Sequence, residues 1–117
     1  MKGIYLINDQ IKLNNLTKEE SFTLQEQVIL DHIQEHGIKV VKLNSNQIYQ
    51  HYTIPHAMLY DLKKNQIQLD CLVLYSPEVM EDFIYTYPAR WLILKSYFKK
   101  IVTLEGKNDQ LSIKSVI

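Results

Sequence analysis

Several side chains in this sequence could do chemistry. Asp9, Glu78 and Asp82 are carboxylates that follow apolar runs, where the strands of an α/β sheet would end. Mg²⁺ takes one or two carboxylates at such places, so a hard-metal site is one reading of the three and solvated loop acids the other. His32, His36, His51 and His56 offer imidazoles. His32 and His36 are four apart and would share a helix face, but no cysteine or third ligand has a supporting spacing. The single cysteine, Cys71, falls inside an apolar run and reads as a small buried hydrophobe. There is no Gly-x-Gly-x-x-Gly or P-loop, and three glycines leave little backbone to cradle a phosphate. No Ser-His-Asp arrangement stands in a recognisable context. We expect no metal and no cofactor.

The elements that would position these groups are organised around Leu69–Asp82. Cys71–Tyr75 is a short apolar run stopped by Pro77, as suits a strand buried on both faces of a parallel sheet. Ligand and catalytic groups collect at the C-terminal ends of such strands; here that end carries Ser76, Glu78, Glu81 and Asp82. Upstream, Gly3–Ile7 predicts a first strand and Ile11–Leu16 a loop. Thr17 and Glu20 have capping-box spacing ahead of a helix running to about His36, with Gly37 closing it. Ile38–Leu43 predicts a second strand, Asn44–Thr53 a loop, and Pro55 the first turn of a helix that Thr53 would cap. After Pro77, Val79–Tyr85 predicts a short helix. Pro88 starts another that carries Trp91, Leu92, Lys95 and Phe98. Ile101–Leu104 predicts strand four, Gly106–Asp109 a turn and Leu111–Ile117 a fifth, edge strand. The sum is one three-layer α/β domain over 1–117, with a mostly parallel four- or five-stranded sheet of core order 2-1-3-4.

The totals narrow the function classes. The chain has 117 residues, enough for one core, and no run approaching the ~20 apolar residues that span a bilayer. Its 13 basic and 13 acidic residues cancel, whereas dedicated nucleic-acid binders carry a basic excess. One cysteine and no signal-peptide pattern suit a reduced setting. The expectation is a cytoplasmic protein without a membrane partner.

Order and spacing carry a further signal. Tyr5-Leu6-Ile7-Asn8-Asp9 ends the first strand, and Phe22-Thr23-Leu24-Gln25-Glu26-Gln27 leads through Gly37 to Ile38–Leu43. Pro55-His56 opens a helix, Asp70-Cys71-Leu72-Val73-Leu74 is a strand, and Pro77-Glu78-Val79-Met80-Glu81-Asp82 follows it. Over roughly 2–106 this resembles the catalytic domain of serine recombinases, the resolvase/invertase family. There the corresponding segments read Tyr-x-Arg-Val-Ser, Ser-Leu-x-x-Gln, Arg-Pro or Arg-x, Asp-x-x-x-Val and Leu-Asp-Arg-Leu-x-Arg. Another α/β fold of flavodoxin-like strand order would share the hydrophobic pattern.

The resemblance implies a fold and a place for a site, and the departures bear on the activity. Family members attack a DNA phosphate with the serine and stabilise the phosphoryl charge with arginines, whose bidentate cations suit that task. Here Asp9 stands in place of the serine. Ile7, His56, Val79 and Asp82 stand in place of the arginines, and only Glu78 keeps the family's acidic character. At an effective dielectric of about 20, like charges near 4 Å repel by about 4 kcal/mol, so such a pocket would reject DNA phosphate. Neither the family's long dimerisation helix nor its C-terminal DNA-binding region is expected.

The aromatic residues gather in the second half of the chain, and Phe83, Tyr85, Tyr87 and Trp91 make a candidate interaction surface. Core packing is the competing reading. Arg90, Lys95, Lys99 and Lys100 nearby give a modest basic face. The function expected is a degenerate, resolvase-like module that binds a protein partner, either a second copy or a recombinase. The alternatives are a DNA-recombination accessory protein and a metal-dependent enzyme using the acidic strand ends.

Overall fold

In the computed structural model, which describes residues 1–105, four parallel strands form one sheet in the order β2-β1-β3-β4. They are β1 (Lys2–Tyr5), β2 (Lys39–Val40), β3 (Leu69–Leu74) and β4 (Phe98–Thr103). The predicted core order is therefore the observed one. The predicted turn at Gly106–Asp109 and fifth strand at Leu111–Ile117 lie outside the described residues. The helices are α1 (Lys18–Glu35), α2 (Pro55–Asn65), α3 (Glu81–Thr86) and α4 (Pro88–Lys95). None of the described helices is long and apolar enough to cross a membrane.

β3 pairs with β1 on one side and β4 on the other. Leu69, Cys71, Leu72, Val73 and Leu74 are all buried, so both faces of the strand are covered. This is the burial that a continuous apolar run predicts. Asp70 is the half-exposed member. Its carboxylate accepts from the backbone N–H of Lys2 at 2.7 Å and lies 3.4 Å from the Lys99 ammonium. The step from β1 to β2 runs one way along the sheet, and the steps to β3 and β4 run the other. Right-handed crossovers then put α1 on one face and α2 and α4 on the opposite face.

Local chemistry sets the ends of α1. The Thr17 hydroxyl accepts from the Glu20 N–H at 3.1 Å, and the Glu20 carboxylate accepts from the Thr17 N–H at 2.9 Å, which completes the capping box. At the other end Gly37 sits at φ +61°. Its N–H reaches the Gln34 carbonyl while Ile38 N–H reaches that of Ile33, the paired bonds of a Schellman ending. α2 starts at Pro55 as predicted, but Thr53 does not cap it; Ile54 occupies that place with no side-chain hydrogen bond.

Other boundaries move for tertiary reasons. β2 stops at Val40 rather than Leu43, because the chain leaves β1 after the bond from Val41 N–H to Gly3 O. Tyr52 takes its place: Tyr52 N–H donates to Tyr5 O and Ile7 N–H donates to Tyr52 O. The Tyr52 hydroxyl then donates to the buried Asp61 carboxylate at 2.8 Å, and burial together with that acid raises the phenol's pKa well above its usual value. One residue of the predicted loop thus anchors both β1 and α2. The segment after Pro77 is a 3₁₀ turn, Pro77–Met80, followed by the shorter α3. α4 ends at Lys95, where the Ser96 hydroxyl bonds back to Ile93 O. Phe98 opens β4 opposite Leu69 instead of closing the helix.

Gly3 lies where β1 and β3 approach most closely. A Cβ there would meet Cys71 Sγ at 2.7 Å, Cys71 O at 2.8 Å and Ile38 Cγ2 at 3.3 Å. A backbone carbonyl in a central strand cannot retreat as a flexible side chain can, so Gly3→Ala should destabilise the fold by roughly 2 kcal/mol. The urea midpoint should fall with an unchanged slope. Ser76 gives the opposite case: its hydroxyl is fully buried and has no hydrogen-bond partner. Ser76→Ala should raise stability by about 1 kcal/mol in the same measurement.

Candidate functional site

β1 and β3 are neighbours whose following segments leave in opposite directions along the sheet. At such a switch point the chain parts and opens a crevice beyond the carboxyl ends of the strands. Here the crevice is a cleft of about 490 Å³. Leu6, Val79 and Phe83, all buried residues, supply apolar lining. Asp9 from the β1 end and Asp82 from α3 supply carboxylates. His56 from the first turn of α2 and Tyr87 from the α3–α4 junction complete an aromatic wall.

The polar frame behind the cleft is built by Asn8. Its N–H donates to Gln25 Oε1 and its carbonyl accepts from Gln25 Nε2, both at 2.9 Å. Its side-chain amide donates to Val79 O at 3.0 Å, and its Oδ1 accepts from Gln10 N–H at 2.9 Å. Gln25 and Ser21 are themselves fully buried. Gln25 Nε2 lies 3.3 Å from Ser21 Oγ, which also accepts from Leu13 N–H at 3.4 Å. Asn8 therefore ties β1, α1 and the turn after β3 into one unit. The sequence held a signal for this: Ser21, Gln25 and Ile29 repeat every four residues along one buried face of α1, so polar groups occupy core positions and must be paired there.

The aromatic wall has a defined geometry. The His56 ring stands edge-on to Phe83 at 5.1 Å and to Tyr87 at 4.6 Å, while Phe83 and Tyr87 are 5.8 Å apart. The cleft thus presents two acids, an imidazole and the faces or edges of aromatic rings. Among the described residues, no arginine or lysine lines it. This lining favours a cation, which carboxylates attract and aromatic faces accept, and disfavours a phosphate.

The residues singled out in the sequence divide clearly. Asp9, His56, Val79, Asp82, Phe83 and Tyr87 come together in the cleft. Ile7 is fully buried, and Glu78 is exposed and does not line the cleft. Among the described residues, Asp9, Glu78 and Asp82 do not assemble as a three-ligand metal group. The surface predicted from Phe83, Tyr85, Tyr87 and Trp91 is corrected in half: Phe83 and Trp91 are core residues, 7% and 6% exposed, whereas Tyr85 is 76% exposed and Tyr87 43%. Each short helix turns one stripe inward, Phe83 on α3 and Trp91 with Leu94 on α4. That leaves Tyr85, Tyr87 and Leu92 outside.

No protein-family model, curated protein or solved structure matches the chain. What the cleft can do is therefore argued from its own residues.

His51, one of the four imidazoles noted in the sequence, lies in the predicted loop beside this site. Its ring packs against Tyr49 at 5.2 Å, Phe22 at 5.5 Å and Tyr5 at 6.0 Å. Burial lowers its pKa, and the nearby charges of Glu26 and Asp9 only partly oppose that. The unfolded chain takes up this proton near pH 6.5, before the folded one does. The resulting stability is complete above that pH and is lost as the pH falls from about 6.5 through the lowered folded value. Urea midpoints measured at about pH 7.5 and 5.0 should fall more in the wild type than in His51→Gln.

Proposed function

We propose that this chain is a non-catalytic binding module, built on a serine-recombinase-like frame, that works through contact with a protein partner. The observation that carries this reading is the cleft at the switch point. Asp9, His56, Val79 and Asp82 line it together, and these are positions that the resemblance aligns with the serine and arginines of a recombinase active site. Residues that follow β1 and β3 meet at the switch point of any sheet with this strand order; the resemblance adds only which of them stand where a recombinase has its serine and arginines. Their chemistry, however, is inverted. Phosphoryl transfer needs cations around the transferring group, and this cleft offers carboxylates.

A protein partner suits what replaces the arginines. Two acids beside an aromatic wall fit the ammonium or guanidinium of a partner's side chain. Tyr87 reaches from the cleft to the exterior, and Tyr85 and Leu92 are exposed on the flanking helices. Tyrosine and exposed apolar side chains of this kind are enriched at the centres of protein interfaces. A second copy of the chain or a complete recombinase is the partner that the resemblance implies.

Affinity capture from native cytosol tests this, with bound DNA quantified in parallel. A discrete protein partner should be retained by the wild type and weakened at least about tenfold both by Tyr85→Ala/Tyr87→Ala and by Asp9→Asn/Asp82→Asn, as expected where buried anchors carry most of the affinity. Incubation with supercoiled plasmid should leave no nick and no covalent adduct. Plasmid cleavage, or DNA retention that weakens with salt by several log units per log unit, would overturn the proposal in favour of a recombination role.

A further inference from the structure

α1 ends in His32-Ile33-Gln34-Glu35-His36. Positions i, i+3 and i+4 share one helix face, so this segment gathers two imidazoles and a carboxylate. One ligand atom from each of His32, Glu35 and His36 can be chosen such that all three lie within 4.8 Å of one another. The imidazole rings are stacked, with centroids 4.0 Å apart and planes 28° from parallel. We infer that the C-terminal turn of α1 is a zinc-binding site, with His32 and His36 as the primary ligands, Glu35 as the third and water completing the shell.

Geometry and chemistry agree on this. Zinc bonds to imidazole nitrogen and carboxylate oxygen are about 2.0–2.2 Å long, so neighbouring tetrahedral ligand atoms stand about 3.4 Å apart. The three ligand atoms stand within 4.8 Å of one another, and the side chains of His36 and Glu35, 51% and 66% exposed, have room to turn toward an ion. His36 Nδ1 lies 3.1 Å from the His32 carbonyl. A carbonyl can only accept, so Nδ1 carries the proton and Nε2 keeps its lone pair for a metal. Ligating histidines are commonly oriented by such a bond from the other ring nitrogen. The last carbonyls of α1 add a negative field that favours a cation at this end of the helix, and the Schellman ending at Gly37 fixes where the helix stops. The two histidines of the order His-x-x-Glu-His on a helix also hold zinc in one class of metalloproteases. Here, among the described residues, no further His, Cys, Asp or Glu joins the group. It is independent of the cleft and of the function proposed for it.

Two imidazoles select a borderline metal over hard ones. Titration of the full chain with Zn²⁺ against a chromophoric chelator should give one ion per chain, undisturbed by millimolar Mg²⁺. Affinity should fall at least about tenfold in His32→Ala and in His36→Ala, less in Glu35→Gln, and not at all in His56→Ala. Circular dichroism of each variant without zinc verifies that α1 is intact. Unchanged affinity in folded His32→Ala or His36→Ala, competition by Mg²⁺, or no binding at millimolar zinc would each overturn the assignment.

Discussion

The close pairing of β1 with β3 is the constraint on which the rest of this protein depends. Gly3 faces Cys71 with no room for a side chain between them, and both strands are buried around that contact. Neighbouring strands in a sheet are held about 4.8 Å apart by their hydrogen bonds. The cleft opens where those strands end, so the separation of its two sides is inherited from this pairing. Asp9 leaves one strand and Val79 and Asp82 follow the other. A shift in the register of one strand against the other would move Asp9 relative to Val79 and Asp82.

The polar network centred on Asn8 converts that backbone constraint into a fixed site. Gln25 exchanges two hydrogen bonds with Asn8 from within the core, and the Asn8 amide reaches the turn after β3. Buried polar groups are expensive when half satisfied and rigidifying when fully satisfied. This network belongs to the second kind over most of its length. The cleft residues themselves are more exposed and bear opposite demands: acids that prefer water stand beside rings that prefer cover. A positively charged group answers both demands at once.

The sequence was most legible where structure is decided locally. The Thr17–Glu20 capping box, the Gly37 ending and the Pro55 and Pro88 helix starts depend on near neighbours in the chain, and each is found where it was expected. β3 was legible because a strand buried on both faces needs no partner to be recognised in its composition. β2 and β4 were misjudged at their ends because pairing, not composition, decides where a strand stops. Phe98 fits a helical repeat equally well, and only its register opposite Leu69 makes it a strand residue. The cleft was legible in part, since residues after strands converge by topology. The burial of Phe83 and Trp91 was not, because a helix of six or eight residues carries too few positions for its inward face to be read from the pattern.

Tyr52 completes the edge of β1 with a single residue. The strands of most sheets leave their outermost N–H and C=O groups open to any extended chain, which is a route to aggregation. Here β2 covers the first half of β1 and Tyr52 satisfies Tyr5 O and Ile7 N–H beyond it. The phenol, locked to Asp61, keeps that residue from peeling away. The second half of β1 is thereby guarded against strand addition although β2 covers only its first half. An extended chain approaching the second half of β1 would first have to break the Tyr52 pairing, so contact there is steered toward side-chain surfaces instead of shared β-structure.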